Sequence, residues 1–155
     1  MQKIWIVYDS KYGNCKRVAE TLAKLVEQNF EVHVGYAKRV KPEQVVTDQP
    51  EAVFIGGPIR AAMPSFTIKW WVGHLGKALE KAAKRIPKAL VFGTAAATPQ
   101  CIEKLKAILV KSGKIDQIYP ENLGILVTGL RGPIKPEELL KLDAFGDKLR
   151  EFLTK

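Results

Sequence analysis

Five short apolar runs, separated by amphipathic or loop-like stretches, constrain this chain more than any other feature. They are Ile4-Trp5-Ile6-Val7-Tyr8, Val32 to Tyr36, Ala52-Val53-Phe54-Ile55, Ala89-Leu90-Val91-Phe92-Gly93 and Gly124-Ile125-Leu126-Val127. A strand that is apolar without a break is buried on both faces. Only the second run alternates, through His33 and Gly35, which suits a strand near a sheet edge. Helical spacing fills much of the rest. From Cys15 to Gln28, Val18, Ala19, Leu22, Ala23 and Val26 recur on one face, with Lys16, Arg17, Glu20, Lys24 and Glu27 largely on the other. Ser65 caps a helix running to about Arg85, whose middle Gly73 and Gly76 weaken. Thr98-Pro99 gives a cap and a first-turn proline ahead of the stripe Ile102, Leu105, Ile108 and Leu109, and Gly113 ends it. Pro136 opens a last helix through Leu139, Leu142, Phe145, Leu149 and Phe152. Lys38 to Pro50 reads as a connection with at most a short helix. Repeated β-α-β order with buried strands predicts an α/β fold, a parallel sheet covered on both sides. The 155 residues suffice for one core and show no linker or repeat, so a single domain over 1–155 is expected.

The net charge of +9 bears on partners rather than on fold. Lys38, Arg39 and Lys41 form one small cluster, and Lys81, Lys84, Arg85 and Lys88 another. Both read as solvated helix faces and loop edges. The excess charge also suits an acidic partner. Neither an aromatic-rich single-strand platform nor a zinc knuckle accompanies it, so nucleic acid is not the expected partner. Cys15 and Cys101 are too few for a disulfide scaffold and form no C-x-x-C pair. His33 and His74 have no partners at metal spacing, so no metal is expected and both read as structural. The five apolar residues before Asp9 are too few for a signal-peptide core. No apolar run approaches the ~20 residues of a membrane helix. A cytoplasmic protein without a membrane span is the expectation.

In open parallel sheets ligands bind beyond the carboxyl ends of the strands. The stretches to read are therefore Asp9 to Cys15, Gly56 to Ser65 and Gly93 to Pro99, all rich in small residues. The first joins a buried strand to a helix start, where free N–H groups and partial positive charge suit a phosphate. Ser10 adds a hydroxyl, Asn14 an amide and Gly13 a permissive backbone. Neither the Walker pattern nor G-x-G-x-x-G is present. On these grounds alone the Gly-Asn step could equally be a plain turn.

Tyr8-Asp9-Ser10-Lys11-Tyr12-Gly13-Asn14-Cys15 resembles the first phosphate loop of the flavodoxin family, roughly Ser/Thr-x-x-Gly-Asn-Thr. Ile55-Gly56-Gly57-Pro58-Ile59-Arg60 resembles that family's second loop. Leu126 to Ile134, followed by an acidic helix start, resembles its closing segment. The resemblance spans nearly the whole chain. It implies a three-layer sandwich with a five-stranded parallel sheet in the order 2-1-3-4-5, and FMN as cofactor. By the same resemblance Ser10, Lys11, Tyr12, Gly13, Asn14 and Cys15 would hold the phosphate. Pro58, Ile59, Arg60 and Ala61 would line one side of the flavin ring, and Thr94, Ala95, Ala96 and Ala97 the other. Arg60 would then stand where it could stabilise charge on the reduced ring, and no side chain need act as acid or base.

The pattern departs from the family's at three points. Cys15 stands where threonine is usual, the third loop has no aromatic, and the chain is basic where classical flavodoxins are acidic. The function implied is an FMN flavoprotein in electron transfer or a small flavin oxidoreductase, serving an acidic redox protein or a small acceptor. The departures keep open a flavodoxin-fold binding or regulatory module without flavin. A quinone-reducing or protoporphyrinogen-oxidising enzyme finds little room for a large substrate between Ser112 and Glu121. A phosphoacceptor receiver fails because Gly56-Gly57 replaces its acceptor aspartate. Cys15 and Cys101 sit at helix starts, which lowers a thiol's pKa, yet small inert residues are the plainer reading. Adjacent Trp70 and Trp71 point to different faces, so one packs inward; the other is expected to be partly buried, and only an exposed one would mark a homodimer or partner surface.

Overall fold

The computed structural model describes residues 1–60, 63–96, 102–129 and 131–155. In chain order the elements are β1 (Lys3–Tyr8), α1 (Asn14–Val26), β2 (Glu31–Tyr36), α2 (Pro42–Asp48), β3 (Ala52–Arg60), β4 (Met63–Pro64), α3 (Phe66–Ala82), β5 (Ile86–Ala95), α4 (Ile102–Ser112), β6 (Ile115–Ile118), β7 (Leu123–Leu126) and α5 (Pro136–Thr154). The sheet runs β2-β1-β3-β5, with β6 and β7 sharing the last position. β6 pairs the start of β5, Ile86 with Ile115, and β7 pairs its end, Phe92 with Leu123. All of these pairings are parallel. The five-position order expected from sequence is therefore present, with its last strand in two pieces. The break falls at 119–122, where Pro120 has no N–H to give to a ladder.

Alternation along the strands sorts the core into two layers. Ile4, Ile6, Phe54 and Phe92 face α1 and α5, packing with Val18, Leu22, Leu142 and Leu149. Trp5, Val7, Val53, Ile55 and Val91 face α2, α3 and α4, packing with Val45, Trp71, Leu75 and Leu105. Such two-sided burial requires the unbroken apolar runs seen in the sequence.

Several expected boundaries move. The third strand does not stop at Gly56-Gly57-Pro58, because β3 continues to Arg60 and β5 to Ala95. Gly57 and Gly93 are partners there, as are Pro58 and Thr94, since ladder bonds use the backbone and need no side chain. β4 pairs antiparallel with the end of β3, Ile59 with Pro64 and Arg60 with Met63. α3 ends at Ala82, not Arg85: Ala83 is left-handed, and Arg85 donates to the Asp116 carboxylate and the Gly113 carbonyl beside β5. Lys88, read as solvated, is only 6% exposed. It lies in β5, and its ammonium donates to the Leu153 carbonyl at 2.8 Å, so α5 covers it. The expected Thr98-Pro99 cap lies outside the described residues.

Candidate functional site

The carboxyl ends of β1, β3 and β5 converge where the chain leaves the sheet. Asp9 N–H donates to the Gly56 carbonyl at 2.9 Å, which fixes the exit of β1 beside β3. The loop then turns on Gly13, whose φ of 88° is left-handed, and Gly13 N–H donates to the Ser10 hydroxyl at 3.0 Å. Glycine adopts that backbone without strain. α1 starts at the next residue, with no acidic side chain in its first turn. The first N–H groups of a helix have no partner within it. Asn14 donates its side-chain N–H to the Arg131 carbonyl at 3.1 Å, tying the loop to the segment after β7. That segment turns at Gly132, φ 88°, where a Cβ would stand 2.5 Å from the Asn14 amide.

Between these pieces lies a hollow of about 40 Å³. Ser10, Lys11, Tyr12, Asn14 and Cys15 line it from the first loop, Pro58, Ile59 and Arg60 from β3, and Thr94, Ala95 and Ala96 from β5 and its end. Gly13, also expected to hold the phosphate, supplies the turn of the first loop but does not line the hollow. Ala61 and Ala97, also expected here, lie outside the described residues, as does Cys101. Val127 and Gly129 complete the lining. Neither is among the site residues the sequence predicts; the only sequence signal for them is the place of their segment after the last strand.

No family model and no curated protein matches the chain. Solved structures do. An archaeal flavodoxin superposes with a TM-score of 0.79 at 18% identity, over 99% of this chain and 100% of its own. The chain has a flavodoxin-like fold. Flavodoxin 1 from Bacillus cereus gives 0.73 at 18% identity, over 97% and 98% of the two chains. Rubredoxin oxygen:oxidoreductase from Desulfovibrio gigas gives 0.76 at 16% identity, over 99% of this chain and 36% of that one. Identities this low show shared architecture alone.

Within this flavodoxin-like fold the hollow is electropositive. The Lys11 ammonium stands 5.5 Å from the centre of the Tyr12 ring, and the Arg60 and Arg131 guanidinium carbons at 5.4 and 5.7 Å. None of the three is in an ion pair among the described residues. Cations held beside an aromatic face and left unpaired keep their charge available to an anion. Tyr12 itself is 41% exposed.

Cys15 behaves unlike a reactive helix-start thiol. It is 1% exposed, and its Sγ lies 3.2 Å from the Thr94 hydroxyl. Burial pushes its pKa up to about 12, against the lowering from Thr94 hydrogen bonds and from Arg60. A neutral thiol adds no negative charge to the hollow. Of the two tryptophans, Trp71 is buried and donates to the Val40 carbonyl at 2.7 Å, while Trp70 is half exposed with His74 stacked on it. His33 stacks on Trp5 and reaches Glu31. Among the described residues no cluster of three or more His, Cys, Asp or Glu could hold a metal ion. No described helix is long and apolar enough to cross a membrane.

Proposed function

We propose that the hollow binds FMN and that the chain serves as an electron-transfer flavoprotein or small flavin oxidoreductase. One observation carries this reading: an acid-free helix start and two unpaired cations, Lys11 and Arg60, border one hollow at the carboxyl end of a parallel sheet, with Arg131 beside the Tyr12 ring. That donor set fits a phosphate dianion. The N–H groups of Asn14, Cys15 and Lys16 and the hydroxyl of Ser10 would hold it, with Lys11 adding charge. The ring needs more space. A cavity of about 40 Å³ holds on the order of three waters, so the walls at 58–60 and 94–96 must separate to admit it. Bound FMN would supply reversible electron transfer, which no side chain in the hollow can supply. Arg60 would sit beside the ring and offset negative charge there. Thr94, Ala95 and Ala96 would bring the backbone close to it, because their side chains are short. The net charge of +9 favours an acidic redox protein or an anionic small acceptor.

The narrowness of the hollow favours one second reading, a binding or regulatory module of the same fold without flavin. FMN titration with flavin fluorescence as the readout separates the two. Stoichiometric quenching is expected, weakened in Gly13→Val, whose β-branched side chain cannot take a φ of 88° without strain of about 1–3 kcal/mol. No quenching at high micromolar FMN leaves the fold intact and makes the module the function.

A further inference from the structure

A groove of about 560 Å³ borders the paired ends of β3 and β4. The proposed flavin site does not use this space, although Ser10, Lys11, Pro58 and Arg60 border both. Its volume falls within the ~300–1,000 Å³ of small-molecule sites. Two aromatic side chains line it. Tyr36, at the end of β2, stacks on Tyr8 with ring centres 5.9 Å apart, which fixes its ring. Phe66, the first residue of α3, is 78% exposed and so offers its ring to solvent. Three cations, Lys11, Lys38 and Arg60, line the same walls against one carboxylate, Asp9. None of these cations is in an ion pair among the described residues.

The walls are held in place. Trp71 is fully buried, and its bond to the Val40 carbonyl pins the loop that carries Lys38. Ser65 caps α3 by accepting from Ile68 N–H at 3.3 Å, which sets the helix start and with it Phe66. A second space of about 430 Å³ shares Lys38 and Thr67 with the groove and is lined also by Lys41, Glu43 and Trp70, itself 51% exposed. An exposed ring, Phe66, and a half-buried one, Tyr36, beside unpaired cations match a ligand that is flat and negatively charged: the rings take its face, and the cations take its charge.

We propose that this groove is a binding site for a planar aromatic anion, its ring against Tyr36 and Phe66 and its acidic group on Lys38, which lines this groove and not the hollow. The site stands whether or not flavin fills the neighbouring hollow. If both are filled, the two ligands share Ser10, Lys11, Pro58 and Arg60 as a common border, and each changes the other's affinity by the same factor.

The probe is naphthalene-2,6-disulfonate, flat, doubly anionic and redox-silent, titrated into the flavin-free chain by calorimetry and by backbone amide shifts. Saturable one-to-one binding is expected, with shifts at Tyr36, Lys38, Phe66 and Thr67, and weakening as salt rises. Lys38→Gln should raise Kd about tenfold, the loss of one charge-assisted contact. Phe66→Ala should raise it comparably. Both side chains are exposed, so circular dichroism of the variants should match the parent. The neutral analogue 2,6-dihydroxynaphthalene should bind far more weakly. Three results overturn the proposal: no saturation below millimolar probe, a Kd indifferent to both substitutions, or shifts confined to 10–15 and 94–96. Because the titration contains no FMN, failure of the flavin reading leaves its outcome legible.

Discussion

At the scale of single residues, position 15 shows burial overruling a local electrostatic expectation. A helix start lowers a thiol's pKa only where the thiolate can be solvated or paired. Cys15 is enclosed under the loop, and the cost of desolvating a thiolate there exceeds the help from Thr94 and Arg60. Its pKa rises from 9.0 to about 12. Between those values the unfolded chain has lost a proton that the folded chain keeps. The stability this thiol contributes is therefore whole below pH 9 and lost as pH rises toward 12. In a Cys101→Ser background, native protein at pH 8 should leave Cys15 unlabelled by a disulfide reagent, while protein in guanidinium reacts at once. Rapid labelling of the native chain would refute the buried, protonated thiol. Gly132 makes a related point. Asn14 can tie the first loop to the closing segment only because no Cβ stands in its way.

At the scale of elements, Lys88 joins the sheet to the final helix. Its ammonium reaches the Leu153 carbonyl from within β5, at the end of α5 where carbonyls lack helical partners and negative charge collects. Lys88→Met keeps most of the apolar stem and removes the donor. It should lower unfolding free energy by about 1–3 kcal/mol, the range for a lost charge-assisted bond. Urea denaturation measures it, and an unchanged midpoint would mean that α5 docks by Leu142, Leu149 and Leu153 alone. Sequence could not reveal this lysine, because its charge run looks like any solvated face until α5 is laid over β5. The apolar runs, by contrast, announced the central strands, since burial on both faces leaves no other composition open to them. β6 escaped notice for the opposite reason. Ile115-Asp116-Gln117-Ile118 is four residues at an edge with two exposed polar side chains, too short and too mixed to signal a strand. The extensions of β3 and β5 were hidden by glycine and proline, which punctuate many loops but here stay in the ladder. The first loop was legible because its turn residue and its helix start are adjacent in sequence. Arg131 was not, because it reaches Tyr12 only after the sheet has brought residues 119 positions apart together.

At the scale of the whole molecule, the fold and the charge lead to a measurement that couples ligand to stability. The hollow is built from four chain segments far apart in sequence, so it exists only in the folded state. A ligand that binds there binds the native chain and not the unfolded one. Stabilisation then follows ligand concentration, about 2.7 kcal/mol at a hundredfold excess over Kd. For a chain of this length each kcal/mol raises Tm by about 2–4 °C. FMN at that excess should therefore raise Tm by about 5–10 °C. Riboflavin has the same ring and no phosphate. If the helix start and Lys11 hold the phosphate, riboflavin at equal concentration should give a much smaller shift, and Lys11→Gln should narrow the gap between the two. Inorganic phosphate alone should give a small rise that salt removes, since screening weakens exposed charge more than buried contacts. A thermal shift equal for FMN and riboflavin would place the binding energy in the ring contacts at 58–60 and 94–96 and remove the phosphate role from the first loop. No shift with either would remove the flavin and leave the electropositive hollow to another anion.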